Sequence, residues 1–206
     1  MKVILVNGSP HKFGCTYTAL KEIADTLKEE NIESEIFHIG TKPISGCLGC
    51  GGCRTAKKCV INDCVNEFVE LASKADGFIF GSPVHYAAAS GAITSFMDRA
   101  FDSGSKNFYL KPAACIISAR RAGTTAAFDQ LNKYFTISQM PIISSIYWNM
   151  VHGSTPDDVK QDAEGLLTMR VLARNMAWFL RCKKAGEEAG VPMPEQEKRV
   201  FTNFIR

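Results

Sequence analysis

Three short runs in this chain are apolar at nearly every position: Lys2 to Val6, Gly77 to Gly81, and Ala113 to Ser118. A strand with one wet face alternates apolar and polar residues, whereas a strand buried on both faces reads as a continuous apolar run. Buried strands of this kind belong to a parallel sheet covered by helices on each side. The stretches between them have helical periodicity. Leu20, Ile23, Ala24 and Leu27 mark one face of a helix over about 16–30, and Phe68, Val69, Leu71 and Ala72 mark one over about 64–74. Ser90 can cap a helix carrying Ile93, Phe96, Met97, Ala100 and Phe101, and another helix is expected over about 125–135. Further strands are expected at 33–38 and 142–150. Thr155-Pro156-Asp157-Asp158 opens a long last helix: a cap, a proline at the first position, then two acids against the dipole.

Strands alternating with helices predict an α/β fold, a doubly wound parallel sheet of five strands. Residues 1–185 form the expected domain, with a cysteine-rich loop, 41–64, inserted after the second strand. The polar stretch 186–206 reads as a tail that reaches a partner subunit. The net charge of +3 over 206 residues is too small, and too dispersed, for a nucleic-acid partner. No apolar run approaches membrane-spanning length and no leader is visible, so the reading is a cytoplasmic protein without a membrane partner. In a reducing compartment eight cysteines point to metal or redox work rather than a disulfide scaffold.

Ligands of such sheets bind outside the carboxyl ends of the strands. Three loops leave strand ends with ligand-type residues: 7–16, 82–90 and 118–125. They converge only in the strand order 2-1-3-4-5. The first is strand, small-residue loop, helix start, an arrangement that presents unpartnered helix amides to an anion. Ser9 and Thr16 would add hydroxyls, and His11 and Lys12 positive charge. The loop is neither a Walker loop nor a Gly-x-Gly-x-x-Gly fingerprint, and a single phosphate suits it better than a pyrophosphate. An ordinary turn with no ligand is the alternative.

Cys47, Cys50, Cys53 and Cys59 have the spacing C-x2-C-x2-C-x5-C, which resembles the ferredoxin-type run that wraps a [4Fe–4S] cluster. Arg54, Lys57 and Lys58 would offset the charge of the thiolates. Zinc more often uses two pairs separated by a longer loop. Free thiols or a redox disulfide are a further alternative. Cys115, on a buried strand, reads as a small apolar core residue.

Asn7-Gly8-Ser9-Pro10 with Thr16, then Gly81-Ser82-Pro83-Val84-His85-Tyr86, then Asp98-Arg99, resemble the NADPH-dependent FMN reductase superfamily of flavodoxin-like folds. The cysteine loop matches its iron–sulfur flavoprotein branch. Cys15, where the family often has Asn, and Cys64, where Asp is common, depart from the pattern. The resemblance implies FMN, with its phosphate among Ser9, Pro10, His11, Cys15 and Thr16. The isoalloxazine ring would lie against Ser82, Pro83, Val84, His85 and Tyr86, and its pyrimidine edge against Ser118, Ala119, Arg120 and Gly123. His85 and Arg120 would be the side chains nearest the chemistry, with Arg120 or Arg121 facing the reduced ring's negative edge. The resemblance further implies an oxidoreductase using NAD(P)H or a ferredoxin-type donor. It implies homodimers or homotetramers, with the cluster of one subunit near the flavin of another. A non-catalytic carrier and a simple NAD(P)H:FMN or quinone reductase without a cluster are the competing readings.

Overall fold

The computed structural model describes residues 1–202 and 204. The sheet is built from β1 (Lys2–Asn7), β2 (Glu33–His38), β3 (Gly77–His85), β5 (Ala113–Ala119) and β6 (Met150–His152), in the order β2-β1-β3-β5-β6 and parallel throughout. A sixth, two-residue strand, β4 (Ala88–Ala89), pairs antiparallel with the end of β3. The expected order 2-1-3-4-5 is thus the order of the parallel strands, with one short strand added.

The pleat divides the apolar runs between two cores. Ile4, Val6, Phe78, Phe80, Ala113, Cys115 and Ile117 face one side, where α3 (Cys64–Ser73), α4 (Gly91–Ser103) and α5 (Thr124–Ile137) cover them. Val3, Leu5, Ile79, Ala114 and Ile116 face the other, under α1 (Cys15–Glu29) and α7 (Ala163–Glu188). Successive strand residues point to opposite faces, so each run must be apolar throughout. Phe68 of α3 centres the first core, with Phe37, Phe78, Phe80, Phe96 and Phe108 within 6.3 Å between ring centroids.

Four expectations need correction. Ser82 to His85 are not a loop but the continuation of β3: the ladder to β5 runs on to Pro83 opposite Ser118, and Val84 and His85 pair with Ala89 and Ala88. The last strand does not fill 142–150. Ile142 makes one bridge to Ala113, and only Met150–His152 rejoin the sheet. Between them the chain leaves the sheet because other partners claim it: Asn175 Nδ2 donates to the Ser144 carbonyl, and Ser145 Oγ donates to that of Thr168. The last helix is two, α6 (Pro156–Gln161) and α7, because Asp162 acts as a second cap, accepting from the Gly165 amide. The cysteine loop is not wholly irregular, since α2 (Gly52–Ala56) forms within it.

Helix α7 runs past position 185 to Glu188, and residues 191–202 are exposed and without regular structure. Tail positions 203, 205 and 206 lie outside the described residues. Among the described residues no helix is long and apolar enough to cross a membrane.

Candidate functional site at the carboxyl rim of the sheet

Strands β1, β3 and β5 are adjacent, so the loops leaving their carboxyl ends share one rim. The contacts between those loops are specific. The Gly8 amide donates to the Gly81 carbonyl at 2.8 Å, and Ser90 Oγ donates to the Gly8 carbonyl at 3.0 Å. Thr16 Oγ1 and Ser118 Oγ lie 2.8 Å apart, both residues buried, which ties the first loop to the third. Gly8 and Gly81 are glycines for room. A methyl on Gly8 would stand 2.8 Å from the Gly81 carbonyl oxygen, and one on Gly81 would stand 2.8 Å from Thr16 Cγ2.

The first loop is shaped from beneath by Asn7, fully buried at the end of β1. Its Nδ2 donates to the Lys12 carbonyl and its Oδ1 accepts from the Ser9 amide, each at 3.1 Å. His38 Nε2, at the end of β2, holds the Ser9 carbonyl at 2.8 Å. No side chain caps α1, whose N-cap is Gly14, so its first-turn amides stay available at the rim.

The second loop is a tight hairpin. Tyr86 and Ala87 turn it with φ of 49° and 60°. Two consecutive positive φ values are what a two-residue hairpin demands, and Asn or Gly normally supply them. For Tyr and Ala the strain is about 1–2 kcal/mol per residue. It is contained from outside: Ala89 N donates to Gln130 Oε1 of α5, and Ala87 packs against Gly123. Tyr86 is left fully exposed at the tip. Such strain, retained at a rim, is the kind that accompanies ligand sites.

The electrostatics of the rim are one-sided. Segments 7–16, 82–90 and 118–125 contain no Asp or Glu, yet carry His11, Lys12, His85, Arg120 and Arg121. With hydroxyls at Ser9, Thr16 and Ser118, this donor set suits an anionic, singly phosphorylated ligand, and Asp158, whose charge is felt at Cys15, acts on the first loop from outside these segments.

A second feature lies against the carboxyl-terminal end of α4. Cys47, Cys50, Cys53 and Cys59 all line one small cavity, closed by Val60, Ile61, Arg99, Asp102 and Ser103. Gly49 and Gly51 take φ of 62° and 68°, which lets the chain fold back between thiols. The Gly49 amide donates to Cys47 Sγ at 3.5 Å. All eight cysteines are free, and among the described residues no three Cys, His, Asp or Glu are grouped as one metal ion requires. Arg99 is buried (1% exposed) and donates to both Asp63 oxygens, at 2.6 and 2.9 Å, and from Nε to Cys59 Sγ at 3.2 Å. Burial alone would raise the Asp63 carboxyl, but hydrogen bonds from Arg99 and the Val65 amide outweigh it and hold the carboxyl below its usual range. Burial, then the bond to Asp102, pushes the Cys53 thiol up.

A family model, NADPH-dependent FMN reductase, matches residues 1–155. The chain belongs to that family. Within it the chain falls in the iron–sulfur flavoprotein branch. It is 31% identical over 195 residues to an iron–sulfur flavoprotein of Methanocaldococcus jannaschii, covering 89% of this chain and all of that one. Among solved structures, RosB holding 8-demethyl-8-formylriboflavin-5′-phosphate superposes with a TM-score of 0.69 at 14% identity, covering 100% of this chain and 94% of that one. An archaeal flavodoxin superposes at 0.58 and 14% identity, covering 88% and 99%. These two likenesses establish the flavodoxin-like fold.

With the FMN reductase family in hand, the expected site residues can be placed. Thr16 and Ser118 are buried where the first and third loops meet, Ala119 is buried next to Ser118 in the chain, and Ser9 is buried within the first loop, where His38 of β2 holds its carbonyl. Pro10, His11, His85, Tyr86 and Arg120 are exposed on the rim, and Pro83, Val84 and Gly123 are half-buried. Three expected residues have other engagements, the first being Ser9, whose Oγ accepts from the His11 amide at 3.1 Å. Ser82 Oγ donates to the Pro83 carbonyl and accepts from the Ser90 amide, so it closes the hairpin. Cys15 Sγ donates to the Gly153 carbonyl at 3.6 Å, beside the end of β6.

The buried cation at the thiols is Arg99 rather than the loop's own Arg54, Lys57 or Lys58, which are exposed. Sequence reading missed Asn7 as the brace of the first loop, and Arg99, Asp63 and Asp102 as the walls of the cysteine pocket. The available signal for Arg99 was an arginine placed among Phe96, Met97, Ala100 and Phe101, inside the apolar stripe of α4.

Proposed function

We propose that this FMN flavoprotein is an electron-transfer oxidoreductase that moves electrons between NAD(P)H or a ferredoxin-type donor and an acceptor, using FMN at the rim and a [4Fe–4S] cluster on Cys47, Cys50, Cys53 and Cys59. The observation that carries the flavin site is the closure of three acid-free, cation-bearing loops over adjacent strands β1, β3 and β5. The cluster reading rests on four thiols lining one cavity, with an amide and a guanidinium already aimed at two of the sulfurs.

Bound, FMN would supply exchange of electron pairs with a nicotinamide and of single electrons with the cluster. The chain's own residues bind, orient and balance charge. The α1 amides, Ser9, Thr16 and Ser118 would hold the phosphate, with His11 at its mouth. The strained hairpin, Pro83 to Tyr86, would form the platform under the ring. The backbone of Ala119 and Gly123, with Arg120, would meet the pyrimidine edge and stabilise the negative charge of the reduced ring. No nucleophile or proton relay of the protein is required. Homodimers or homotetramers belong to the same reading, and exposed Tyr86 at the rim and Leu48 at the cysteine pocket leave apolar surface for them. So does a reducing, cytoplasmic setting, which keeps eight thiols free.

Anaerobically purified protein should show flavin absorption with a broader iron–sulfur contribution. Protein that remains colourless and fails to quench FMN fluorescence would overturn the flavin site. Oxidation of NAD(P)H with quinone or ferricyanide as acceptor supports the oxidoreductase, whereas fast exchange with ferredoxin alone supports a carrier. Thr16→Val and Ser9→Ala should each weaken FMN binding by about 1–3 kcal/mol, the cost of leaving a buried polar partner unsatisfied. Fluorescence titration checks this, and unchanged affinity in both variants would move the phosphate elsewhere. Cys50→Ser should lose iron and acid-labile sulfide while retaining stoichiometric FMN, because the cysteine pocket shares no lining residue with the three rim segments. Full iron in that variant would remove Cys50 from the ligand set.

A further inference from the structure

Arg99 has five N–H donors, and each has an acceptor. One Nη donates to Asp63 Oδ2 (2.6 Å) and the Ser45 carbonyl (3.4 Å), the other to Asp63 Oδ1 and the Ile61 carbonyl (both 2.9 Å), and Nε to Cys59 Sγ (3.2 Å). A planar group bound at every donor cannot rotate, so the Nε–H direction is imposed on the sulfur by the other four bonds. Buried arginines that only neutralise a carboxylate do not need a thiol as a fifth acceptor. One turn further along α4, Asp102 presents Oδ2 to Cys53 Sγ at 3.3 Å, where the thiol now donates. A Cys53 that binds iron has lost that proton and would face the carboxylate as a like charge.

We propose that Arg99 is a positioning residue that raises the reduction potential of the iron–sulfur cluster through its bond to Cys59, and that Asp102 lowers it through Cys53. The proposal rests on the cluster reading given above. Adding one electron to the cluster, supplied by the flavin, increases the negative charge on the thiolate sulfurs, and no proton needs to move. A donor locked onto one sulfur stabilises the more negative state, and a carboxylate beside another destabilises it. Hydrogen bonds to the sulfurs and local charge are the protein's established means of setting such potentials.

The test uses the full-length protein, purified anaerobically, with its potential followed by EPR during reductive titration. Arg99→Lys keeps the charge but cannot reproduce the five-bond lock. It should shift the reduction equilibrium at least tenfold toward the oxidised cluster, 59 mV for one electron. Asp102→Asn should shift it the other way. Opposite signs from two positions one turn apart are not what a loosened pocket would produce. Equal potentials in wild type and Arg99→Lys at full iron content, or a downward shift in Asp102→Asn, overturn the proposal. Should Arg99→Lys fail to fold, Arg54→Lys protein labelled with 15N at the arginine guanidinium nitrogens alone decides the matter, since Arg54 beside Cys53 then adds no signal. A 15N coupling to the reduced cluster in pulsed EPR supports the bond to sulfur, and its absence overturns it. Wild-type protein with no iron or acid-labile sulfide would instead sink the cluster reading, and this inference with it.

Discussion

Arg99→Ala is expected to lower the unfolding free energy by about 3–5 kcal/mol, the cost of breaking a buried ion pair by removing one partner. The side chain is 1% exposed and sits among Phe96, Met97, Ala100 and Phe101 on the buried face of α4. Its removal strips Asp63 of two hydrogen bonds, leaves the Ile61 and Ser45 carbonyls short of a donor, and opens a hole behind Cys59. In urea the midpoint should fall with little change in slope. By thermal unfolding the loss corresponds to roughly 6–20 °C for a domain of this size. Acid supplies a check on mechanism. Asp63 titrates below its unfolded value of about 3.9, so the pair's stabilisation is full above about pH 4 and is lost as pH falls through the lower, folded value. The gap between wild type and Arg99→Ala should therefore narrow below pH 4. A gap independent of pH would assign the loss to packing alone.

Gly123→Val should damage the proposed flavin site more than any single hydroxyl deletion. Gly123 caps α5 with φ of 91°, a conformation that costs a β-branched residue about 1–3 kcal/mol. A Cβ there would also stand 2.7 Å from Ala87 Cα and 2.9 Å from Val84 Cγ1. The near neighbour is backbone at the tip of the strained hairpin, so the overlap can be relieved only by moving the tip or unwinding the start of α5. Overpacking of that kind adds about 1–3 kcal/mol. The sheet lies below the contact and should survive, with unchanged far-ultraviolet circular dichroism. FMN affinity should fall by more than tenfold, because Val84, His85 and Tyr86 are carried away from the first loop. Gly123→Ala should lie between the two. Wild-type affinity in Gly123→Val would show that the hairpin takes no part in holding FMN.

How far sequence alone carries this protein depends on whether a feature is local. The buried strands were legible because a strand covered on both faces must be apolar at every position, and Val3 to Val6 satisfy that without reference to anything distant. The cap at Thr155 and the small-residue loop between β1 and α1 were legible for the same reason: each is written within about ten residues. Strand β4 was not. Tyr86-Ala87 contains none of the residues that normally turn a two-residue hairpin, and the turn exists because Gln130 and Gly123, some forty residues away, hold it. The excursion at 144–149 was hidden likewise, since its carbonyl and hydroxyl partners belong to α7.

The sequence by itself determined the class of fold, four of the five parallel strands, the branch of the family suggested by four closely spaced cysteines, and the first and third rim loops. Only the tertiary structure decided what stands behind those cysteines. Arg99 and Asp102 stand 40 to 55 positions beyond the four cysteines, and nothing local couples α4 to them. Arg99 and Asp102 share one face of α4, and Asp63, the cap of α3, meets them because α3 and α4 pack against the same face of the sheet. There the burial that packing imposes leaves a guanidinium no water to bind, so its donors go to a carboxylate, two carbonyls and a sulfur.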